Sequence, residues 1–475
     1  MRYLMIASLL AGTLSCATNP VTGRRELSLV SESQEIAMGQ SLLAGTRQET
    51  GFYPDAALNR YVSGIGQRMA AASERPELPW EFHVVDDPAV NAFAAPGGFI
   101  FITRGIMAYL NSEAELAGVL GHEIGHVTAK HSVSQLSKQQ LFNVGLVAGA
   151  IAAPDIANSG IGEAVQVGGG LLFLKFGRDD ERQADELGHR YALMQHYDVR
   201  EMPKTFLTLQ HLSEQGGSSD RVPGFLSTHP DPGDRVAATT RWADTISSYA
   251  GLEVDRDRYL GHLEGLVFGA DPRQGYFDTG WFLHPELRFR FMLPEGWHGV
   301  NQASRVVVVE PNGQAQVEVS QVAFATARQA ADSFARQAGL QVQGSNTSPV
   351  NGLPAATVAF AATTQQQQQL RGQATFIEYR GSVYRLLGLT TAAGAATHGG
   401  TIVRVLGSFG PTAATQVFRR VREIHVLTLP QAMTVDRLAN ESGGATTATE
   451  LALLNSVEQG TMIPRGRTIK TIRFR

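Results

Sequence analysis

Two histidines and a glutamate in His122-Glu123-Ile124-Gly125-His126 have the spacing of a hydrolytic metal site. Residues four apart lie on one face of an α-helix, so His122 and His126 can both direct an imidazole at one Zn²⁺. Two neutral imidazoles leave the metal cationic, and it lowers the pKa of a bound water. Glu123, one position round, would take the proton of that water and pass it to a leaving amine. The pattern is typical of a zinc metalloprotease.

The alternative is a surface helix with two incidental histidines. The preceding residues argue against it, because the stretch from Ser112 to Leu120 reads as a capped start of an amphipathic helix. The apolar residues that follow, up to Leu120, form a face that would carry this helix into a core.

A catalytic zinc usually has three protein ligands and one open position. The best third ligand is Glu181, which shares a helix face with Asp185, four residues later. We expect Asp185 to accept the free N–H of a ligand histidine, most plausibly His122, and so fix its tautomer. A solvated acidic helix start is the alternative. The small residues Ala184 and Gly188 favour the site, since they suit close packing against another helix.

Together these motifs resemble the gluzincin peptidases of family M48, which includes HtpX and the CAAX prenyl proteases, in its soluble periplasmic branch. The resemblance covers residues 19–262 and implies one Zn²⁺ per chain on His122, His126 and Glu181. It is carried by Asn19-Pro20-Val21-Thr22-Gly23-Arg24, Asn91-Ala92-Phe93-Ala94-Ala95-Pro96-Gly97-Gly98, His122-Glu123-Ile124-Gly125-His126, Glu181-Arg182-Gln183-Ala184-Asp185, and Ser227-Thr228-His229-Pro230 with Arg235.

The resemblance also implies a substrate-binding segment before the metal helix. Phe99–Thr103 is a β-rich run after a Pro-Gly-Gly turn and resembles the edge strand to which an extended peptide adds as a further strand. An ordinary core strand is the alternative. The substrate-binding residues implied are Asn91, Ala92, Phe93, Gly97, Gly98 and Arg235.

His229 lies in a Pro-rich loop and admits three interpretations. It could stabilise the oxyanion of the tetrahedral intermediate as a catalytic residue, occupy the open zinc position and keep the enzyme latent, or be structural. Arg235 either aids substrate binding or pairs with an acid near the site. His131, five residues after His126, is predicted to be structural because it points to another helix face.

The N-terminus predicts export. Arg2 precedes an apolar core, Leu4 to Leu14, that is too short to span a bilayer and ends at Cys16, the only cysteine. Cleavage before Cys16 and its acylation would give a periplasmic lipoprotein anchored to the outer membrane, since Ala17 follows it. Ordinary signal cleavage after Ala17 is the alternative. A lone cysteine excludes internal disulfides and a cysteine zinc site.

A chain of 475 residues suggests about three domains, and its net charge of −4 argues against a nucleic-acid partner. The fold class predicted is α+β and multidomain: a mainly helical gluzincin domain with a small edge-strand sheet, then an antiparallel sheet with helices on one face, then a small βααβ module. The boundaries predicted are 1–16 for the signal peptide, 17–262 for the metalloprotease domain, 263–278 for a linker, 279–411 for the accessory domain and 412–475 for the last module.

Two further segments carry interpretations. Residues 141–176 are apolar and Gly-rich, and we expect a hairpin of two helices that serves as a lid or a lipid or partner surface, or is plain core. Residues 412–475 resemble a LysM module, with the order strand, helix, helix, strand. Such modules bind the N-acetylglucosamine chains of peptidoglycan; a degenerate packing module is the alternative, because Pro430-Gln431-Ala432 stands where the usual turn is Pro-Gly-Asp.

The sequence therefore predicts a zinc-dependent endopeptidase of the periplasm. The substrates that the family resemblance implies are extended, unfolded or misassembled envelope polypeptides. Two other functions stay open: a chaperone or scaffold for outer-membrane assembly whose protease is latent, and a zinc hydrolase of peptidoglycan cross-links.

Overall fold

The computed structural model describes residues 16–138, 176–215, 225, 228–229, 232–364 and 367–475. Contacts divide the chain into two compact units. The first contains residues 1–47, 52–270 and 422–475, and the second contains residues 48–51 and 271–421. Both units combine helices with sheets, as expected for an α+β multidomain protein.

Helices surround the candidate site and also pack on the large sheet of the second unit. In chain order they are α1 (Glu32–Glu49), α2 (Ala56–Ala71), α3 (Arg104–Tyr109), α4 (Glu113–Thr128), α5 (Arg178–Met194), α6 (Met202–Gln215), α7 (Pro232–Asp244), α8 (Arg256–His262), α9 (Ala327–Ala335), α10 (Ala395–Gly407), α11 (Val435–Glu441) and α12 (Ala448–Leu454). Short 3₁₀ turns cover Val199–Glu201 and Pro272–Gln274.

The strands are short in the first unit and longer in the second. In chain order they are β1 (Cys16–Thr18), β2 (Arg25–Leu27), β3 (Glu81–Val85), β4 (Ala92–Ala95), β5 (Phe99–Thr103), β6 (Tyr276–Asp278), β7 (Trp281–His284), β8 (Phe289–Met292), β9 (His298–Asn301), β10 (Arg305–Val309), β11 (Ala315–Val322), β12 (Leu340–Asn346), β13 (Ala355–Thr363), β14 (Gln369–Tyr379), β15 (Ser382–Thr391), β16 (Gly410–Pro411), β17 (Arg422–Thr428), β18 (Met433–Thr434), β19 (Met462–Ile463) and β20 (Thr468–Phe474).

Helix α4 carries the His-Glu-x-x-His segment through the core of the first unit. Ser112 caps it, since its Oγ accepts a hydrogen bond from the Glu115 N–H at 3.1 Å. All sixteen residues of α4 are buried. A helix buried all round presents polar side chains only to other protein groups, so the site histidines lie in a dry environment.

Helices α4 and α5 approach closely at small residues. A Cβ atom added to Gly188 would lie 2.7 Å from the backbone nitrogen of His122, and one added to Gly125 would lie 3.0 Å from the Ala184 carbonyl oxygen. Real Cβ atoms do not tolerate the first of these distances, so glycine at 188 is what lets the backbones meet. The predicted close packing at Ala184 and Gly188 is confirmed.

The three-stranded sheet of the first unit has the order β3-β5-β4, and this corrects the edge-strand prediction. Phe99–Thr103 is the central strand, parallel to β3 and antiparallel to β4. All five of its residues are buried, as expected of an apolar run covered on both faces. An outer strand that contacts α4 is β4, Ala92–Ala95.

The C-terminal residues have the predicted order of strand, helix, helix and strand, with β17 antiparallel to β20. They differ from the predicted separate module because they share the core of the first unit: Leu454 and Ile472 belong to the same hydrophobic cluster as Leu120 and Ile124 of α4. The fully buried Lys470 donates from Nζ to the carbonyl oxygens of Ala108 and Leu110 at 2.7 Å. The segment thus holds the chain just before α4. Glycan binding by it stays a prediction.

The second unit contains a seven-stranded antiparallel sheet of order β12-β13-β14-β15-β11-β10-β9. Its two helices pack on opposite faces, so the prediction of helices on one face is wrong. Along β13, Ala355 belongs to the cluster that contains α10, whereas Ala356 and Val358 belong to the cluster that contains α9. Successive residues of a strand point to opposite faces, and both faces of these strands are apolar. The signal of two covered faces was therefore present in the sequence.

Two predicted segments fall largely outside the described residues. They are the signal peptide at 1–16, of which Cys16 alone is described as the start of β1, and the hairpin at 141–176, of which Phe176 alone is described. Lipidation of Cys16 stays a prediction. Among helices in the described part of the chain, none has the length and apolar character that crossing a bilayer requires.

Candidate metal centre

Four buried side chains converge between α4, α5 and the loop before α7. They are His122, His126, Glu181 and His229, whose candidate ligand atoms all lie within 4.8 Å of one another. The Nε2 atoms of His122 and His126 are 3.0 Å apart. His229 Nδ1 lies 3.2 Å from His122 Nε2 and 2.9 Å from Glu181 Oε1. The structure thus brings together the three residues predicted as ligands and places beside them His229, for which a position at the metal was one of the predicted interpretations.

The tautomer of His122 is fixed by Asp185. Its Nδ1 lies 2.7 Å from Asp185 Oδ1, and a carboxylate can only accept, so Nδ1 carries the proton. Its Nε2 then presents a lone pair to the cluster. Burial, and after it the neighbouring Arg235, lowers the pKa of His122 to about 3, which keeps the ring neutral. This is the role predicted for Asp185.

The tautomer of His126 is fixed through His131. His131 Nε2 lies 2.9 Å from Gln183 Oε1, and an amide oxygen accepts, so His131 donates from Nε2. Its Nδ1 then carries a lone pair, which accepts a hydrogen bond from the Nδ1–H of His126 at 2.9 Å. His126 Nε2 is left unprotonated. His131 is outside the ligand group, as predicted, yet it orients a ligand through Gln183, which the sequence analysis did not single out.

The two hydrogen-bond chains, from Asp185 to His122 and from Gln183 through His131 to His126, indicate whether a cation fits the cluster. Two unprotonated Nε2 atoms 3.0 Å apart repel each other unless a positive charge lies between them. Two ligand atoms bound tetrahedrally at about 2.0–2.1 Å from one zinc lie roughly 3.3 Å apart. The separations of 3.0, 3.2 and 3.5 Å among the cluster atoms are close to that value. The nitrogen and oxygen donors therefore suit a tetrahedral divalent metal ion.

Glu123 lies beside the cluster and is 0% exposed. Neither of its carboxylate oxygens has a hydrogen-bond partner among the described residues, although His229 Nε2 lies 3.6 Å from Oε1. Burial raises the pKa of Glu123 to about 7. Burying a carboxyl without a hydrogen-bond partner costs free energy and calls for an explanation. One explanation is that the carboxyl exchanges a proton with a water or a substrate.

Arg235 neutralises the acidic side of the centre. It is 5% exposed and binds Asp185 with two hydrogen bonds, from Nε at 2.8 Å and from Nη2 at 2.6 Å. Its Nη1 lies 3.2 Å from Glu181 Oε2. Burial alone would raise the pKa of the Glu181 carboxyl, but His229 and Arg235 hold it well below its usual range. Of its two predicted roles, the structure gives Arg235 the pairing with acids near the site.

Two phenylalanines complete the surroundings, and the sequence analysis missed both. The ring of Phe176 lies 4.0 Å from that of His126, and the ring of Phe225 lies 4.4 Å from that of His229. They exclude water from the imidazoles and so strengthen electrostatic interactions within the centre. Phe176 ends the segment predicted as a helical hairpin and Phe225 lies just before the loop of His229, and a phenylalanine at either place carries no signal of a metal site.

The predicted substrate-binding residues divide into two groups. Asn91 and Phe93 are half-buried, and Phe93 lies on an outer strand next to α4. Gly97 and Gly98 have φ of +82° and +100° and are buried, and a Cβ on Gly97 would lie 2.6 Å from the Ile36 Cα. These glycines therefore make a turn packed under α1, where a substrate has no access. The substrate role predicted for them does not fit this burial.

Residues 56–243 match the model of peptidase family M48. The chain carries an M48 peptidase domain. The matched residues include α4, α5 and most of α7, and hence the whole cluster described above. The resemblance to family M48 that the motifs indicated is confirmed over these residues, and the periplasmic branch stays a prediction.

Curated relatives of this M48 domain occur in bacteria and eukaryotes. The beta-barrel assembly-enhancing protease of Escherichia coli (strain K12) is 29% identical over 258 residues, 53% of this chain and 52% of that protein. The mitochondrial metalloendopeptidase OMA1 of Schizosaccharomyces pombe is 31% identical over 230 residues, 47% of this chain and 65% of that protein. The chain spans about half the length of the bacterial relatives it matches.

Solved structures are similar at a low level. The solution structure of cyanobacterial PsbP (CyanoP) from Synechocystis sp. PCC 6803 aligns at 16% identity and a TM-score of 0.24, over 29% of this chain and 96% of that one.

Asp185→Asn tests the tautomer relay. The amide keeps the shape of the carboxylate but loses its charge, so it holds the His122 N–H less tightly and releases Arg235. We expect zinc affinity to fall about 10–100-fold, measured by competition with a chromophoric chelator. Asp179→Asn, at an exposed position of the same helix, should leave the affinity unchanged; equal affinities for all three proteins would contradict the relay.

Proposed function

We propose that the M48 domain is a zinc-dependent endopeptidase with His122, His126 and Glu181 as ligands and Glu123 as general base. The observation that carries the proposal is the convergence of two unprotonated imidazole nitrogens and one carboxylate beside the unpaired Glu123. Zinc suits these donors, because it accepts imidazole and carboxylate in a tetrahedral arrangement. A zinc ion held there supplies Lewis acidity, which makes a water nucleophilic near neutral pH and polarises a carbonyl.

The residues of the chain perform the proton transfers. Glu123 accepts a proton from the attacking water and returns it to the amine that leaves. Burial raises the pKa of this carboxyl, which favours its taking up the proton before it passes that proton on. His122 and His126 take no part in these transfers, because their Nδ1 atoms are engaged by Asp185 and His131.

An outer strand supports an extended polypeptide as substrate. Strand β4 is paired on one side by β5, and the other side of an edge strand can accept a further strand by backbone hydrogen bonds. Asn91, just before β4, has a buried Oδ1 with no hydrogen-bond partner among the described residues. We propose that this oxygen accepts an N–H of the bound peptide. Recognition through the backbone gives loose sequence preference, as suits unfolded chains.

We further propose that the substrates are extended or misassembled polypeptides of the bacterial envelope. Support comes from the bacterial relatives, each of which is named beta-barrel assembly-enhancing protease. The predicted export signal is consistent with such substrates, and the periplasm is the compartment we propose.

Latency is the second candidate function, and the position of His229 favours it. Its Nδ1 lies among the ligand atoms, 3.2 Å from His122 Nε2, where it can act as a fourth ligand. Zinc sites with four protein ligands are typically structural, whereas catalytic sites keep one position open. The hydrogen bond from the Phe225 N–H to the Val90 carbonyl oxygen, at 3.1 Å, holds the same loop near β4. A latent protease of this kind could also serve as a scaffold.

Glu123→Gln tests the assigned base. The amide cannot accept the proton, so cleavage of unfolded casein should fall about 10²–10⁴-fold while one zinc per chain is retained. Glu186→Gln, an exposed site on α5, is the matched control and should keep full activity. Undiminished cleavage by Glu123→Gln would refute the assignment.

His229→Ala separates the interpretations of His229. A latch predicts faster casein cleavage with unchanged zinc content, because the fourth position opens. An oxyanion role predicts a loss of about 10²–10³-fold in kcat, and a purely structural role predicts a lower unfolding midpoint without either change. Only the first result supports latency. The double variant Glu123→Gln/His229→Ala should be inactive, which excludes a contaminating protease.

A further inference from the structure

A cavity of about 310 Å³ opens between helices α5 and α7 beside the metal centre. The residues that line it recur at helical spacing on the two facing sides: Arg178, Glu181, Arg182 and Asp185 on α5, and Asp234, Arg235 and Arg241 on α7. Ala237 and Ala238 contribute only methyl groups, so they leave the space between the helices open.

The cavity is rich in guanidinium groups. Four arginines face three carboxylates, and two of those carboxylates, Glu181 and Asp185, are buried and engaged by the buried Arg235. Among the described lining residues, the solvent side is then formed by Arg178, Arg182 and Arg241, with Asp234 as the one acid. Such a lining attracts anions.

Two of the exposed arginines can turn towards a ligand. Arg182 is 68% exposed and, within the described part of the chain, forms an ion pair with Asp179 alone, which is 90% exposed. An exposed pair of this kind is weak and is easily exchanged. Arg241 is exposed and has no ion-pair partner among the residues that the structure describes. A guanidinium binds a carboxylate through two parallel hydrogen bonds.

The location links the cavity to catalysis. Its wall includes Glu181, one of the four clustered side chains, so a group bound there lies next to the centre rather than at a remote surface. Arg235, 5% exposed, contacts Glu181 on one side and lines the cavity on the other. A polypeptide crossing the centre can therefore place one of its groups between α5 and α7.

We propose that this cavity is a substrate subsite that binds a carboxylate of the polypeptide, through Arg182 and Arg241. The carboxylate is either an acidic side chain near the scissile bond or the terminal carboxylate. The inference rests on the endopeptidase activity proposed above and adds to it a preference for acidic substrate segments.

The test measures peptide binding to the Glu123→Gln protein, so that it does not depend on turnover. Fluorescent peptides are identical except for Glu or Gln at each position in turn, and each is made with a free or an amidated C-terminus. We expect one Glu peptide, or the free-acid form, to bind roughly tenfold more tightly than its neutral counterpart, with the difference shrinking as salt is added.

Variants then assign the preference to the cavity. Adding Arg182→Gln and Arg241→Gln together should abolish the difference while the neutral peptide binds as before. Adding Arg437→Gln, which removes another exposed arginine in a helical ion pair, should leave it intact. If the tighter binding is lost when Glu in the peptide is replaced by Gln, the bound carboxylate is a side chain. If it is lost when the C-terminus is amidated, the bound carboxylate is the terminal one.

The outcomes are decisive for the subsite. Equal affinities for acidic and neutral peptides, no binding of either, or a preference that survives loss of both arginines would overturn it. Parallel casein assays on the wild type keep the two proposals apart. Casein cleavage without a preference for the acidic peptides refutes the subsite alone. A preference for the acidic peptides without casein cleavage refutes the peptidase activity alone.

Discussion

The contact between α4 and α5 is the constraint on which the centre depends. Two imidazoles from one helix and a carboxylate from another can reach one metal ion only if the helix backbones nearly touch. Gly188 meets the backbone of His122 and Gly125 meets that of Ala184, and a side chain at Gly188 would push the helices apart. Separating them by even about 1 Å would lengthen every ligand distance that involves Glu181, which zinc coordination does not tolerate.

Burial creates the second constraint, because the same dry core that strengthens metal binding penalises every unpaired charge. The chain compensates these buried charges with ion pairs and hydrogen bonds. Arg235 balances Asp185 and Glu181, and the hydrogen bonds that start from Asp185 and Gln183 set the tautomers of both ligand imidazoles. Glu123 stands apart from this pairing. The C-terminal segment holds the chain that leads into α4, because Lys470 donates hydrogen bonds to carbonyl groups that precede this helix.

Sequence predicted the parts of the site that follow from local helix geometry: His122, Glu123 and His126 on one helix, and Glu181 with Asp185 on another. It could not order the strands β3, β4 and β5, because the apolar pattern of Phe99–Thr103 suits either a central strand or an edge strand. It also could not show that residues 422–475 join the first unit, since that depends on contacts such as Lys470 with Ala108, more than 350 residues apart. Phe176 and Phe225 reach the site only through tertiary folding.

The zinc K-edge X-ray absorption spectrum of the purified full chain tests the central claim most directly. The account predicts about one zinc per chain, with only nitrogen and oxygen neighbours at about 2.0–2.1 Å and the multiple scattering of at least two imidazoles. Glu181→Gln should weaken this signal, and Glu186→Gln should not. A chain that binds no zinc, or a zinc whose spectrum lacks imidazole scattering, would contradict the account.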